Sequence, residues 1–290
     1  MFGDYTLRRF RRGSSLRHEA GDSMLIDFHV HAFPDRLAER ALAVLAKNIA
    51  YPPLTDGTLS GTLAAMDRWG VDRAVICNIA TNPKQTANVN AFAAETLRDR
   101  GDRFTPLGSV HPDLPDPEPV LRGLAEAGIP GIKLHPDYMR RTVDDPCYDV
   151  IFEICASLGL FVLTHAGFDV YSTSRVFASP DRLLRRLERS PKTVLIAAHY
   201  GGNMMWDEVE EKICGKNLYI DTSLGGLTKL SPGQAARILG KHDPEKILFG
   251  SDCPWCSSAE TFRYVDALPL SGDLKEKIFH GNAERLLGLK

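Results

Sequence analysis

Two histidines stand one residue apart where the first apolar run of the chain ends, in the segment MLIDFHVH (24–31). Because side chains alternate faces along a strand, His29 and His31 point the same way, with Cα atoms roughly 6.6–7 Å apart. Two imidazoles at that spacing can bind one ion, with nitrogen–zinc distances of about 2.0–2.1 Å. Phe28 and Val30 are then expected on the opposite face, packed against helices.

Further polar side chains close later apolar runs of the chain. Six of the nine histidines do so, namely His29, His31, His111, His135, His165 and His199. Lys133 in GIKLH and Asp252 in LFGSD accompany them. A single histidine at such a place is usually structural, but four histidines and one carboxylate together are hard to explain in that way. The set therefore predicts a metal site.

The elements that must position these residues are short β-branched runs that alternate with helical patterns. The eight runs cover residues 24–30, 72–80, 103–110, 131–135, 160–165, 193–199, 217–223 and 246–252. Such alternation indicates parallel strands with crossover helices. About 265 residues for eight units is the size of a (β/α)8 TIM barrel, an α/β fold whose chemistry lies at the carboxyl ends of the strands. A doubly wound sheet is the alternative, but no phosphate-binding glycine pattern follows His31.

Composition narrows the choice of partners. The chain has 290 residues, 43% of them apolar, and a formal charge of −2. This balance gives no reason to expect nucleic acid or an anionic membrane as partner, and no apolar run approaches the ~18 residues that span a bilayer. We expect a small-molecule substrate and, since dimers are common for such barrels, consider a homodimer. Six scattered cysteines without an export signal indicate reduced thiols and a cytoplasmic protein.

Residues 1–23 differ in composition from the rest of the chain. They are rich in arginine, and TLRRFRR is similar to a twin-arginine signal, but no apolar stretch comes after it. We interpret this segment as a short N-terminal extension without assigned chemistry; a basic arm that contacts nucleic acid is the weaker alternative. The barrel domain is expected over residues 24–290.

The strand-end motifs as a set resemble a known family. IDFHVH, GIKLHP, LTHAG, AAHYGG, FGSDCPW and GNAERLLGL occur in the order found in the amidohydrolase superfamily. The branch is amidohydrolase-2, which includes aminocarboxymuconate-semialdehyde decarboxylase. The resemblance implies that His29, His31, His165 and Asp252 bind one divalent metal ion, expected to be zinc. It also implies that His199 orients water or donates a proton, and that Asp252 accepts a proton from the metal-bound water.

Four further residues are expected to contact substrate. Lys133 is interpreted as a contact for a substrate anion; a carboxylated Lys133 that bridges a second metal is the less favoured alternative. His111 and His135 both precede proline and are expected in the pocket, with Trp255 as pocket wall. Cys253 and Cys256 form a Cys-x-x-Cys pair, but it follows a strand-end aspartate rather than opening a helix, which argues against a redox role.

The sequence leaves the reaction open between two chemistries. We favour hydrolysis of an amide, ester or lactone in a small anionic substrate by a metal-activated water, because that is the wider reaction class of the superfamily. The alternative is metal-dependent, non-oxidative decarboxylation of an unsaturated or aromatic carboxylic acid. A barrel that binds ligands without catalysis is the third hypothesis, and the intact ligand positions argue against it.

Overall fold

Eight strands, each parallel to its neighbours, form the centre of the computed structural model, which describes residues 24–47, 49, 51–170, 172, 175–228 and 230–289. The strands are β1 (Ile26–Val30), β2 (Arg73–Ile76), β3 (Phe104–Pro106), β4 (Gly131–Leu134), β5 (Phe161–Thr164), β6 (Leu195–Ala197), β7 (Tyr219–Asp221) and β8 (Ile247–Leu248). Hydrogen bonds join β1, β2 and β3 in one sheet and β4 to β8 in a second sheet. Predictions for residues 1–23 lie outside the described residues.

Backbone hydrogen bonds just beyond the strand ends close the two sheets into a barrel. The Lys133 N–H donates to the Gly108 carbonyl at 2.8 Å and links β4 to the end of β3. On the other side, the Phe28 N–H donates to the Phe249 carbonyl at 2.7 Å and links β1 to β8. Gly250 allows this approach, because a Cβ atom there would lie 2.9 Å from the His29 Cβ. The predicted (β/α)8 barrel is confirmed.

Helices surround the barrel and mostly alternate with the strands. Within the described residues they are α1 (Asp35–Leu45), α2 (Leu59–Trp69), α3 (Thr86–Arg100), α4 (Glu118–Glu126), α5 (Pro136–Met139), α6 (Asp149–Leu158), α7 (Pro180–Arg189), α8 (Trp206–Glu208), α9 (Pro232–Lys241), α10 (Ser258–Asp266), α11 (Gly272–Glu276) and α12 (Asn282–Leu287). Local signals set several boundaries. The Thr58 hydroxyl accepts from the Gly61 N–H and begins α2, which ends at Gly70 in the left-handed region. None of these helices is long and apolar enough to cross a bilayer.

The barrel interior is filled by a compact apolar cluster drawn from seven of the strands and their ends, with α12 packed at one side. Phe28 belongs to this cluster and packs on Phe161, with ring centroids 5.7 Å apart. The expectation that Phe28 faces the helices was therefore wrong. The register of β1 shifts between Asp27 and Val30, and this irregularity interrupts the simple alternation of faces. Val30 packs in the larger cluster that includes helix residues, as expected.

The strands are shorter than the apolar runs that predicted them. β6 covers Leu195–Ala197 and β8 only Ile247–Leu248. As a result, His165, His199 and Asp252 follow their strands rather than end them. His199 and Asp252 have positive φ values of 58° and 71°, which are uncommon for residues other than glycine. His199 and Asp252 therefore lie in tight turns at the carboxyl end of the barrel.

Candidate active site

Three acceptor atoms converge at the carboxyl end of β1 and β8. Asp252 Oδ1 lies 3.1 Å from His31 Nε2 and 3.3 Å from His29 Nε2. The backbone holds this arrangement, since the Asp252 N–H donates to the His29 carbonyl at 2.8 Å. These are three of the four predicted metal ligands, and their ligand atoms lie within 4.8 Å of one another.

Hydrogen bonds on the far side of each ring fix which nitrogen carries the proton. His31 Nδ1 lies 3.0 Å from the Cys77 carbonyl oxygen, which can only accept, so Nδ1 donates. His29 Nδ1 lies 2.8 Å from Asp221 Oδ2 and donates to that carboxylate. In a ring whose only proton is on Nδ1, Nε2 presents a lone pair, and both Nε2 atoms here face Asp252 Oδ1. Three lone-pair atoms at this separation attract a cation, and the Lys133 ammonium already donates to one of them, His29 Nε2, at 3.0 Å.

Burial favours the neutral form of two imidazole rings of the site, His29 and His199. His29 and His199 are almost fully buried. Burial, with the positive charge of Lys133, holds the pKa of His29 well below its ordinary value. Burial, with His165 and His29 nearby, does the same for the pKa of His199. Neutral imidazole is the form that binds a metal ion.

A chain of hydrogen bonds connects the histidines that follow β5 and β6 to the end of β7. Ser223 Oγ donates to Asp221 Oδ1, so His199 Nδ1 donates to Ser223 Oγ at 2.6 Å. His199 Nε2 then accepts from His165 Nδ1 at 3.0 Å. This series of hydrogen bonds leaves a lone pair on His165 Nε2, a buried atom without a hydrogen-bond partner in the described structure. Asp221 thus orients both His29 and His199, a role that the sequence did not predict.

His165 does not join the three converging ligands in this structure. Its ring stacks on His135 at a centroid distance of 4.3 Å, and Asp169 Oδ2 lies 3.9 Å from His165 Nε2 and 3.7 Å from His135 Nε2. The ligand atoms of these three residues form a separate group within 4.8 Å. Burial lowers the pKa of His165 to about 3, so this ring is neutral as well.

Lys133 is a buried cation among these groups. Its side chain is 1% exposed, and Nζ donates to His29 Nε2 at 3.0 Å. Burial lowers the pKa of Lys133, while the charges of Asp221 and Asp252 act in the opposite direction. No other hydrogen bond of Nζ is seen among the described residues, although an ammonium group has three N–H donors.

Asp27 connects the two segments that carry His29 and Asp252. It is fully buried, and its Oδ2 accepts from the hydroxyls of Ser251 and Ser258, both at 2.6 Å. Its Oδ1 accepts from the N–H groups of Ser251 at 3.0 Å and His29 at 3.1 Å. Burial raises the pKa of Asp27 to about 6. Asp27 therefore fixes the segment that carries Asp252 onto β1, and sequence reasoning missed it.

A cavity of about 760 Å³ opens above these residues. Its lining includes the candidate site residues His29, His31, Lys133, His135, His165, His199, Asp252 and Trp255. Apolar side chains from α1 and from later loops form most of the remaining wall. His111 is absent from the lining, and its Nδ1 accepts from the Asp113 N–H at 3.1 Å. The substrate contact expected of His111 thus finds no counterpart in the described cavity.

The donor set fits a divalent cation. Two imidazole nitrogens and one carboxylate oxygen converge, the Lys133 ammonium donates to one of these nitrogens, and His165 Nε2 is a further buried lone pair. Nitrogen and oxygen ligands of this kind suit zinc and neighbouring first-row metals. Cys253 and Cys256 are not part of this set. Both are free thiols, and burial raises their pKa well above the ordinary value.

Comparison with known folds gives close agreement over nearly the whole chain. An uncharacterized TIM-barrel protein from Bordetella bronchiseptica is 20% identical, with a TM-score of 0.72, over 92% of this chain and 99% of that chain. A 5-carboxyvanillate decarboxylase from Novosphingobium aromaticivorans, in complex with manganese, is 17% identical, with a TM-score of 0.68, over 93% and 97%. A 2,6-dihydroxybenzoate decarboxylase from Rhizobium is 16% identical, with a TM-score of 0.66, over 92% and 99%.

Sequence comparison identifies the family. No curated protein sequence matches this chain significantly. The model of the Amidohydrolase family matches residues 26–289, which include every strand of the barrel and all the converging side chains. The chain belongs to the amidohydrolase family of enzymes, as its strand-end motifs predicted.

Proposed function

We propose that this protein is a metal-dependent decarboxylase of an unsaturated or aromatic carboxylic acid. The observation that carries this proposal is the ammonium group of Lys133, which is buried beside the converging ligands and faces a mostly apolar cavity. Its unused N–H donors and its positive charge suit an anionic partner. A substrate carboxylate at this place would supply one.

We assign the metal to His29, His31 and Asp252, with His165 as the fourth ligand. A divalent ion bound there acts as a Lewis acid that draws charge from a substrate oxygen. Zinc and manganese both suit the donor set, and manganese is present in the complex of the Novosphingobium decarboxylase. Asp221 fixes His29 through its Nδ1, and an ion bound at Nε2 would take the place of the Lys133 ammonium that donates to this atom.

The remaining residues of the site bind the substrate and supply a proton to it. Lys133 binds the carboxylate, and the apolar walls exclude water, which favours a reaction that turns a charged carboxylate into neutral CO₂. The bond between that carboxylate and its carbon breaks, its electron pair stays on the carbon, and the carbon takes up one proton. Asp252 would pass this proton from water to the carbon through Oδ2, because its contacts with the two histidines involve Oδ1. His199 orients this region through its bond with His165.

Similarity to the named neighbours supports this choice over hydrolysis. Two of the folds compared above are decarboxylases of aromatic acids. At 16–17% identity the similarity establishes the fold alone. The assignment of the reaction therefore depends on the charged groups and the apolar walls of the cavity. This proposal differs from the sequence-based preference for hydrolysis, and it retains the same ligands.

Hydrolysis of an ester, amide or lactone is the second candidate. The observation that favours it is the position of Asp252 Oδ1 against both His29 and His31, where a carboxylate can accept a proton from an attacking water. Lys133 lines the same cavity as His165 and His199, which also suits the alternative in which a carboxylated lysine bridges two ions.

One experiment separates the two reactions. Protein loaded with Zn²⁺ or Mn²⁺ is incubated in H₂¹⁸O with a panel of aromatic and unsaturated acids, esters and lactones. Decarboxylation releases CO₂ and leaves no ¹⁸O in the organic product, whereas hydrolysis incorporates ¹⁸O. The His31→Ala variant should lose the activity, and His280→Gln, altered outside the cavity, should keep it. Incorporation of ¹⁸O without CO₂ release overturns the decarboxylase proposal.

A further inference from the structure

Helix α1 occupies an unusual place in the barrel. It follows β1 directly, and α2 stands between it and β2, so α1 is additional to the helix that completes the first β/α unit. One face of α1 lines the cavity through Arg36, Leu37, Arg40, Ala41, Val44 and Leu45. Positions four apart lie on one side of a helix and about 6 Å apart along its axis. Leu37, Ala41 and Leu45 thus form an apolar stripe that Arg36 and Arg40 flank.

The two arginines have no protein partner among the described residues. Arg36 and Arg40 are exposed, and neither forms a hydrogen bond or an ion pair within the described part of the chain. Many other arginines do pair, such as Arg103 with Asp67 and Arg237 with Glu210. The carboxylates that line the cavity are Asp169 and Asp252, and both lie beside the histidines. Two guanidinium groups on one face of α1 are therefore left for an anion from outside the protein.

The rim of the same cavity is apolar and exposed. Leu37, Val44, Tyr51, Val170 and Met204 all line it, and their exposed fractions range from 45% to 57%. Large apolar side chains that cluster in this way at a pocket mouth are typical of a binding surface. The cavity volume of about 760 Å³ lies in the upper part of the range for small-molecule sites and exceeds the volume of a single-ring acid.

We infer that the preferred substrate is an elongated dianion with an apolar body, an inference that rests on the proposed function. One carboxylate binds Lys133 at the base of the cavity. The apolar middle packs along Leu37, Ala41 and Leu45. The second anionic group, a carboxylate or an equivalent, binds Arg36 and Arg40. These two arginines select the substrate, while the chemistry takes place at the histidines.

Calorimetric titration of the Zn²⁺-loaded protein tests this inference. The ligands are octanedioate, decanedioate and dodecanedioate, each compared with the monocarboxylate of the same chain length. At least one diacid should bind the wild type about fivefold more tightly than its monoacid, the size expected for an exposed charge pair. The double variant Arg36→Gln/Arg40→Gln should remove this advantage, so that no diacid binds more tightly than its monoacid. Arg68→Gln, an exposed arginine on α2 outside the cavity, should behave as the wild type.

The outcomes separate this inference from the proposed function. If the monoacids bind but no diacid binds more tightly, or if the double variant keeps the preference, the role of Arg36 and Arg40 is refuted and the decarboxylase proposal stands. If no carboxylate binds at all, the carboxylate site at Lys133 is refuted, and the dianion inference fails with it.

Discussion

Two buried cations of this barrel have very different surroundings. Arg186 on α7 is fully buried between helices, where it donates to the carbonyls of Val143 and Asp145 and to Asp149 and Ser190. Its guanidinium also lies over the Phe152 ring at 4.7 Å. Lys133 on β4 is equally buried but hydrogen-bonds to His29 alone among the described residues.

The difference distinguishes a structural charge from a functional one. A buried charge is costly unless it is paired and hydrogen-bonded. Arg186 meets that condition within the protein and stabilises the contact between α6 and α7. Lys133 does not meet it, and its free donors face the cavity. We therefore expect substitutions of Arg186 to change stability and substitutions of Lys133 to change activity.

The largest effect is expected from Lys133→Met. Loss of the cation that holds the substrate carboxylate should reduce kcat/KM about a thousandfold. The free energy of unfolding should stay unchanged or increase, because a poorly paired buried ammonium is removed. Steady-state kinetics and urea denaturation measure the two quantities, with the exposed Lys192→Met as control. A stability loss with normal activity would reverse the assigned roles.

The converse is expected from Arg186→Met. Loss of the hydrogen bonds to the Val143 and Asp145 carbonyls and to Asp149 should lower the free energy of unfolding by about 3 kcal/mol, while kcat per folded molecule stays the same. Arg189 also pairs with Asp149 but is 42% exposed, so Arg189→Met should cost far less, because solvent screens an exposed ion pair. Equal losses in the two variants would show that burial of Arg186 is not the cause.

A smaller effect is expected from a substitution of Asp221, whose carboxylate accepts a hydrogen bond from His29. Asp221→Asn weakens the acceptor that orients His29 and His199, and it should lower Zn²⁺ affinity about 10- to 100-fold. Competition titration with a chelating dye measures the change. Asp243→Asn, which alters a carboxylate that caps a turn outside the cavity, serves as control. Unchanged affinity in Asp221→Asn would mean that His29 needs no orienting partner.

The smallest effect concerns acid stability near Arg186. Burial raises the pKa of Asp144, but hydrogen bonds from Arg185 and Arg182 outweigh this and lower it to about 2. Its ionised form therefore contributes stability above pH 4, and this contribution is lost as the pH falls from about 4 toward 2. Asp144→Asn should remove about 1–2 kcal/mol at pH 7 and flatten the decline in that window. A parallel decline in wild type and variant would contradict this account.

The fold could be predicted from the sequence because its signals are local and repeated. Eight apolar runs separated by helical patterns require parallel strands, and residues such as Thr58 and Gly70 mark helix ends in the sequence itself. The orientation of Phe28 could not be predicted, because the register shift in β1 depends on how β1 pairs with its neighbours. The limits of β6 and β8 were also set by closure of the barrel rather than by local propensity.

The candidate ligands could be named from motifs, but their hydrogen-bond partners could not. His29, His31 and Asp252 stand in recognisable patterns at strand ends. Asp221 orients His29, and Asp27 holds the segment before Asp252. These contacts join residues that are about 190 to 225 positions apart in the sequence, so the alternation of side chains along a strand could not predict them. The sequence did not reveal that Arg36 and Arg40 have no partner among the residues that the structure describes, because ordinary surface helices carry many arginines.

Metal binding by the converging ligands is the central claim, and a direct titration tests it. Metal-free protein is titrated with Zn²⁺, and the metal retained after desalting is measured by mass spectrometry for wild type, His31→Ala, Asp252→Ala and the control His280→Ala. We predict about one ion per chain in wild type and control, and none in the two site variants with unchanged circular dichroism. A wild type that retains no ion, or site variants that retain it equally, would contradict the account.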